Sequence, residues 1–193
     1  MTDLVATRLA LHALAEHVIS PLRVQATGNE IALEARPGGF GTPDLPGGGW
    51  VGVSGTDVVR ADGERQPVSS LRTAAEFVGL DGAEALSAEP LAVDPSAAAR
   101  LAQVWADGTR DLQALSADAE LHLWPEHFDV AIDLGEVTYG VSPGDENHDE
   151  PYAYVAPWSA PAPGDFWNAT AFTGAEAPAA DAASLWRAAL QHL

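Results

Sequence analysis

With 193 residues, 47 % of them apolar, the chain can bury one sizeable hydrophobic core or two small ones. It has no cysteine and all nine of its basic residues are arginine. That excludes disulfides, thiolate nucleophiles, cysteine-held iron–sulfur clusters, a pyridoxal-phosphate (PLP) Schiff base and a Walker-A nucleotide loop. A formal charge of −19 opposes nucleic acid and anionic membrane as partners, since both are held by clustered basic residues and these arginines are scattered.

No run approaches the ~18 uncharged apolar residues of a membrane span. Asp3 and Arg8 interrupt the N-terminus where a secretory signal needs a basic start and an apolar block, so the expected setting is cytoplasmic. Asp3 is placed to cap a helix from about Leu4 to Ile19, with Leu4, Leu11, Leu14 and Val18 on its apolar stripe and Ser20-Pro21 as its stop. Arg8, His12 and Glu16 form the opposite, i, i+4 stripe and read as a solvated face. Arg23 to Arg36 reads as a hairpin turning at Thr27-Gly28-Asn29.

Residues 37 to 49 form a Pro/Gly-rich loop whose glycines lack the GxGxxG spacing of a phosphate cradle. Strands are expected at 50–53 and 57–60. A short capped helix should run from Ser70 through Phe77 to a stop at Gly79. Residues 81–92 read as a linker between structural halves 1–80 and 93–193 of a single domain. Asp94-Pro95 opens a helix to about Leu115, by the preference for a side-chain cap followed by proline.

Glu120 to Leu134 reads as a strand pair broken at Trp124-Pro125. From His127 the alternation places Phe128, Val130, Ile132 and Leu134 on one face and His127, Asp129, Ala131 and Asp133 on the other. Tyr139-Gly140 leads into an acidic loop to Glu150; 152–155 and 166–172 are expected strands, and a final helix follows Asp181. The halves share landmarks: Ile31 and Phe40 are nine residues apart, as are Val130 and Tyr139, and Trp50 corresponds to Tyr152. The expected fold is α+β, an antiparallel sheet covered by about four helices, with helix–strands–helix duplicated.

Chemistry-bearing residues concentrate in the second half. His122, His127, Asp129 and His148 supply imidazole and carboxylate, the ligands for a divalent metal open to a chain without thiols. His127 and Asp129 would stand ~7 Å apart on one strand face, although the HExxH spacing is absent. Asp129 and Asp133, ~13 Å apart on a strand, are too distant for the ~5–9.5 Å of a glycosidase pair. Gly140-Val141-Ser142-Pro143-Gly144 matches the G-x-S-x-G elbow in letters only. Pro143 stands where the oxyanion donor N–H belongs, and a loop follows where the elbow needs a helix.

The aromatic residues Trp124, Tyr139, Tyr152, Tyr154, Trp158 and Trp167, with His127, Asp129 and His148 among them, are the ingredients of an apolar pocket rimmed by polar groups. Tyr152 and Tyr154 share one strand face. Three readings follow: binding of a small, partly apolar, neutral or cationic molecule by these residues; a hydrolase or lyase using a divalent metal on His122, His127, Asp129 or His148; and a protein-interaction scaffold.

Leu121-His122-Leu123-Trp124-Pro125-Glu126-His127-Phe128-Asp129, Tyr139-Gly140-Val141-Ser142-Pro143-Gly144-Asp145, Pro151-Tyr152-Ala153-Tyr154-Val155 and Phe166-Trp167-Asn168-Ala169 resemble an uncharacterised family of proteins from high-GC actinobacteria. The resemblance covers the second half, implies a bacterial cytoplasmic setting, and carries over neither an activity nor a site.

Overall fold

The structure, a computed structural model, describes residues 3–193. It is α+β, with two five-stranded antiparallel sheets and four helical stretches. The first sheet has the order β1(Glu34–Arg36)-β2(Gly39–Gly41)-β3(Val51–Ser54)-β4(Asp57–Arg60)-β5(Arg65–Pro67). The second has the order β10(Ala175–Pro178)-β9(Tyr152–Pro157)-β8(Val137–Ser142)-β7(Asp129–Leu134)-β6(His122–Trp124). The contacts divide the chain into two compact units, Met1–Gln103 with Leu123–Phe128, and Val104–His122 with Asp129–Leu193. This division falls inside a helix rather than at the 81–92 stretch, where a 3₁₀ turn at Ala83–Ala85 buries Ala83.

The first unit opens with helix α1 (Asp3–Leu14), a π-helical turn (Ala15–Ile19) and helix α2 (Ser20–Thr27) in unbroken succession. Pro21 was expected to stop this helix. A proline inside a regular helix lacks the donor and clashes with the carbonyl four residues back. Here the Ser20 N–H bonds to Ala15, five residues back, and the widened turn brings Pro21 into the first turn of α2. The expected hairpin at Thr27-Gly28-Asn29 is thus the end of a helix. Gly28, at φ 96°, donates to the Val24 carbonyl at 2.7 Å as a C-terminal cap. A hairpin turn and a helix stop both need positive φ, so this glycine fits either.

The supposedly solvated stripe of α1 is also different. Arg8 is buried, and His12 stacks on Phe128 with ring centres 5.1 Å apart while its Nε2 lies 2.8 Å from the Pro125 carbonyl. Leu11, Leu14, Val18, Ile19, Leu33, Phe40, Val53 and Val58 form the core of this unit. Helix α3 (Leu71–Val78) follows the expected capping: the Ser70 hydroxyl accepts from Thr73 N–H, Thr73 reciprocates, and Gly79 closes the end at φ 77°.

Helix α4 (Pro95–Leu115) begins where Asp94-Pro95 placed it, with the Asp94 carboxylate accepting from Ala97 N–H at 2.8 Å. In the second unit it lies against β7 and β8 at Gly108. A methyl there would come within 2.9 Å of Val130 and 3.0 Å of Val141, so the glycine sets how closely helix and sheet approach. Helix α5 (Ala182–Ala189) buries Trp186, whose indole N–H donates to the Tyr154 carbonyl at 3.1 Å. The 166–172 stretch is not a strand. It belongs to a loop, and β10 begins only at Ala175.

Each half has the order helix, five-stranded meander, helix. The landmark pairing is displaced by one strand, however, since Phe40 lies on the second strand of its sheet and Tyr139 on the third of the other. No helix among the described residues is long and apolar enough to cross a membrane.

Candidate functional site

Registry sorts the second unit's sheet into two faces. Val130 pairs with Val141, Ile132 with Tyr139 and Val141 with Ala153, and these side chains are buried on the α4 side. The alternate positions make the other face: Asp129, Ala131 and Asp133; Thr138, Gly140 and Ser142; Tyr152 and Tyr154; and Glu176, paired with Tyr154 on β10. Gly140 lies opposite Tyr154, and a methyl on it would fall 2.4 Å from the Tyr154 ring. The absence of a side chain at 140 is what lets that ring lie flat across β8.

The aromatic groups form a continuous row. Phe172 meets Tyr154 edge-on at 6.0 Å between ring centres, Tyr154 lies 6.3 Å from Tyr152, and the His148 ring lies over Tyr152 at 4.3 Å. Each tyrosine hydroxyl donates to a carboxylate, Tyr154 to Asp129 and Tyr152 to Asp145 Oδ2 at 2.6 Å. Burial, reinforced by Asp129, holds the Tyr154 hydroxyl well above its ordinary pKa, and burial together with Asp145 does the same for Tyr152. Both remain neutral donors.

His148 is the hub. Its Nδ1 lies 3.0 Å from Asp145 Oδ1 and its Nε2 lies 3.2 Å from Glu176 Oε1. Burial disfavours its charge, but hydrogen bonds to Asp145 and Glu176 outweigh that and hold its pKa above the ordinary value. Burial likewise opposes the Asp145 charge, yet donation from Tyr152, the Asn147 N–H and His148 keeps its pKa below the carboxylate norm. The loop is pre-shaped by Asp145, whose Oδ1 accepts from the backbone N–H groups of Asn147 at 2.7 Å and His148 at 2.9 Å. Glu176 is set by Asn168, whose side-chain amide donates to the Glu176 carbonyl at 3.1 Å and accepts from its N–H at 2.8 Å. Glu176 Oε2 is buried and accepts no hydrogen bond.

Of the candidates named from the sequence, Asp129, His148, Tyr152 and Tyr154 meet in this cluster. Tyr139 does not: it is 1 % exposed on the opposite face, where burial raises its pKa. Trp158 is 63 % exposed with its indole donating to Thr138 at 3.1 Å, and Trp167 packs edge-on against Phe166. Trp124 and His127 belong to the first unit. Strand β7 starts at Asp129, and Phe128 takes φ 58°, a left-handed value uncommon for a bulky residue, so the alternation does not reach back to His127. His122 sits 3.6 Å from Glu120. Among the described residues no three His, Asp or Glu are arranged to hold a metal ion, and the set His122, His127, Asp129 and His148 is not gathered.

Ser142 ends β8 and is buried, its hydroxyl donating to the Gly144 carbonyl and accepting from the Gly144 N–H, both at 3.2 Å; loop, not helix, follows. Asp145, Glu176, Asn168 and Phe172 were missed as site residues. Only Asp145 carried a signal, its three-residue spacing from His148 being that of an Asx turn.

The first unit has an open groove of about 840 Å³ between the end of α2, the 45–51 loop and the end of α3, with Trp50, Phe77 and Arg60 in its lining. Arg60 is engaged by Asp62 at 3.3 Å and Glu64 at 3.2 Å. The chain matches no protein-family model, no curated protein and no solved structure.

Proposed function

We propose that the second unit binds a small organic cation with an apolar part on the face made by Tyr152, Tyr154, Phe172, Asp145 and Glu176. The observation that carries this reading is that the face already holds a planar, basic ring of its own between two acids. His148 lies over the Tyr152 ring with a carboxylate at each nitrogen. Donation of each phenol to a carboxylate makes the rings richer in electrons, which strengthens their attraction for a cation, worth ~0.5–2 kcal/mol per contact. Three carboxylates, Asp129, Asp145 and Glu176, stand against one imidazole, so the face is electronegative even with His148 charged. An anion would be repelled.

Thermal denaturation with a permanent aromatic cation, benzyltrimethylammonium, against the uncharged benzyl alcohol tests the reading. At ten times its Kd the cation should stabilise the protein by about 1.4 kcal/mol, and the effect should vanish in Tyr152→Ala. Equal response to the two compounds would mean that charge is not what the face selects.

A further inference from the structure

We infer that His148 is a built-in, proton-controlled competitor for this cation site: charged, it fills the space between Asp145 and Glu176 and ties the 143–151 loop to β10; neutral, it withdraws and leaves both carboxylates to the external cation. The inference rests on the cation-binding reading above. Its geometric basis is that both ring nitrogens face oxygens that can only accept, at 3.0 and 3.2 Å. A neutral imidazole has one N–H and would turn a lone pair toward one of the two carboxylates, so the bridge belongs to the imidazolium alone.

The groups facing His148 come from three elements. Asp145 lies on its own loop, Glu176 on β10 and the Tyr152 hydroxyl on β9, with Asp129 of β7 behind the tyrosines; Glu146, Asp149 and Glu150 on the loop are exposed. None of these groups can carry positive charge, so raising the pH removes the charge of His148 with no other cation among them to replace it. Glu176 Oε2, buried without a donor beside the imidazole, is the oxygen an incoming cation would reach once the ring has left.

The test is to titrate benzyltrimethylammonium, whose charge is independent of pH, from about pH 6 to about pH 9, following tyrosine ring resonances together with those of the His148 imidazole. Affinity should rise about tenfold, with a midpoint coinciding with His148 titration, because the competent fraction of sites rises with it. His148→Gln should bind at the high-pH affinity throughout. A wild-type affinity independent of pH, or a His148→Gln variant with the wild-type pH dependence, overturns the competitor and leaves the cation site standing. Absence of binding by both proteins at every pH overturns both. Titration of His148 in the wild-type protein at the free-imidazole value overturns the competitor without recourse to any variant.

Discussion

Gly140→Ala puts the packing of the aromatic face to a direct test. The added methyl would stand 2.4 Å from Cζ and 2.5 Å from Cε1 and Oη of Tyr154. Carbon atoms rest at ~3.5–4 Å, so the ring must retreat by more than ~1 Å at its hydroxyl end, where it holds Asp129. Overpacking of this kind costs ~1–3 kcal/mol, and losing a hydrogen bond to a buried charged acceptor ~1.5–3 kcal/mol. The smaller entropy loss of alanine returns ~0.5–1 kcal/mol, and the first two costs overlap, so the net loss should be ~2–4 kcal/mol. In a Tyr154→Ala background the same substitution meets no ring and should be neutral or stabilising by ~0.5–1 kcal/mol. Urea unfolding followed by tryptophan fluorescence, run as a double-mutant cycle, measures the difference. Equal destabilisation in both backgrounds would refute the argument that the glycine exists to seat this ring.

Ser70→Ala removes the reciprocal cap of α3 and should cost ~1 kcal/mol in the same assay, whereas Ser70→Asp should restore most of it. Tyr154→Phe keeps the ring but withdraws a donor from buried Asp129, and should cost ~1.5–3 kcal/mol in the same assay. The His148 bridge has a defined pH window. His148 has a raised pKa in the folded state, so its contribution is complete below the unfolded value of about 6.5 and is lost as pH rises through the folded value. Asp145 has a lowered one, so its contribution is complete above about 3.9 and is lost as pH falls through the folded value. Stability measured against pH should therefore decline as pH rises from about 6.5 through the folded-state titration of His148, and His148→Gln should flatten that decline.

What was legible in the chain was whatever local chemistry decides. Ser70 and Gly79 bracket α3, and Asp94-Pro95 opens α4, because caps and stops act within one turn. The period-two alternation of β7 and the shared face of Tyr152 and Tyr154 follow from strand geometry alone. What was not legible depended on partners distant along the chain. Glu176 reaches His148 across 28 residues, and no spacing announces it. Phe128 takes a left-handed backbone held between His12 and Phe40, which cuts the strand short of His127. Asn168 uses its side-chain amide to pair with Glu176 in the manner of a strand, so an aromatic run that looked extended is a loop. Pro21 passes through a helix because a π-helical turn makes room for it, a compensation that propensity does not foresee.

The central claim, that the tyrosine and carboxylate face of the second unit takes an organic cation, is most directly tested by intermolecular nuclear Overhauser contacts from the methyl protons of bound benzyltrimethylammonium. The account predicts contacts to the rings of Tyr152 and Tyr154. Contacts to Trp50 and Phe77 in the groove of the first unit, or none to either tyrosine, would contradict it.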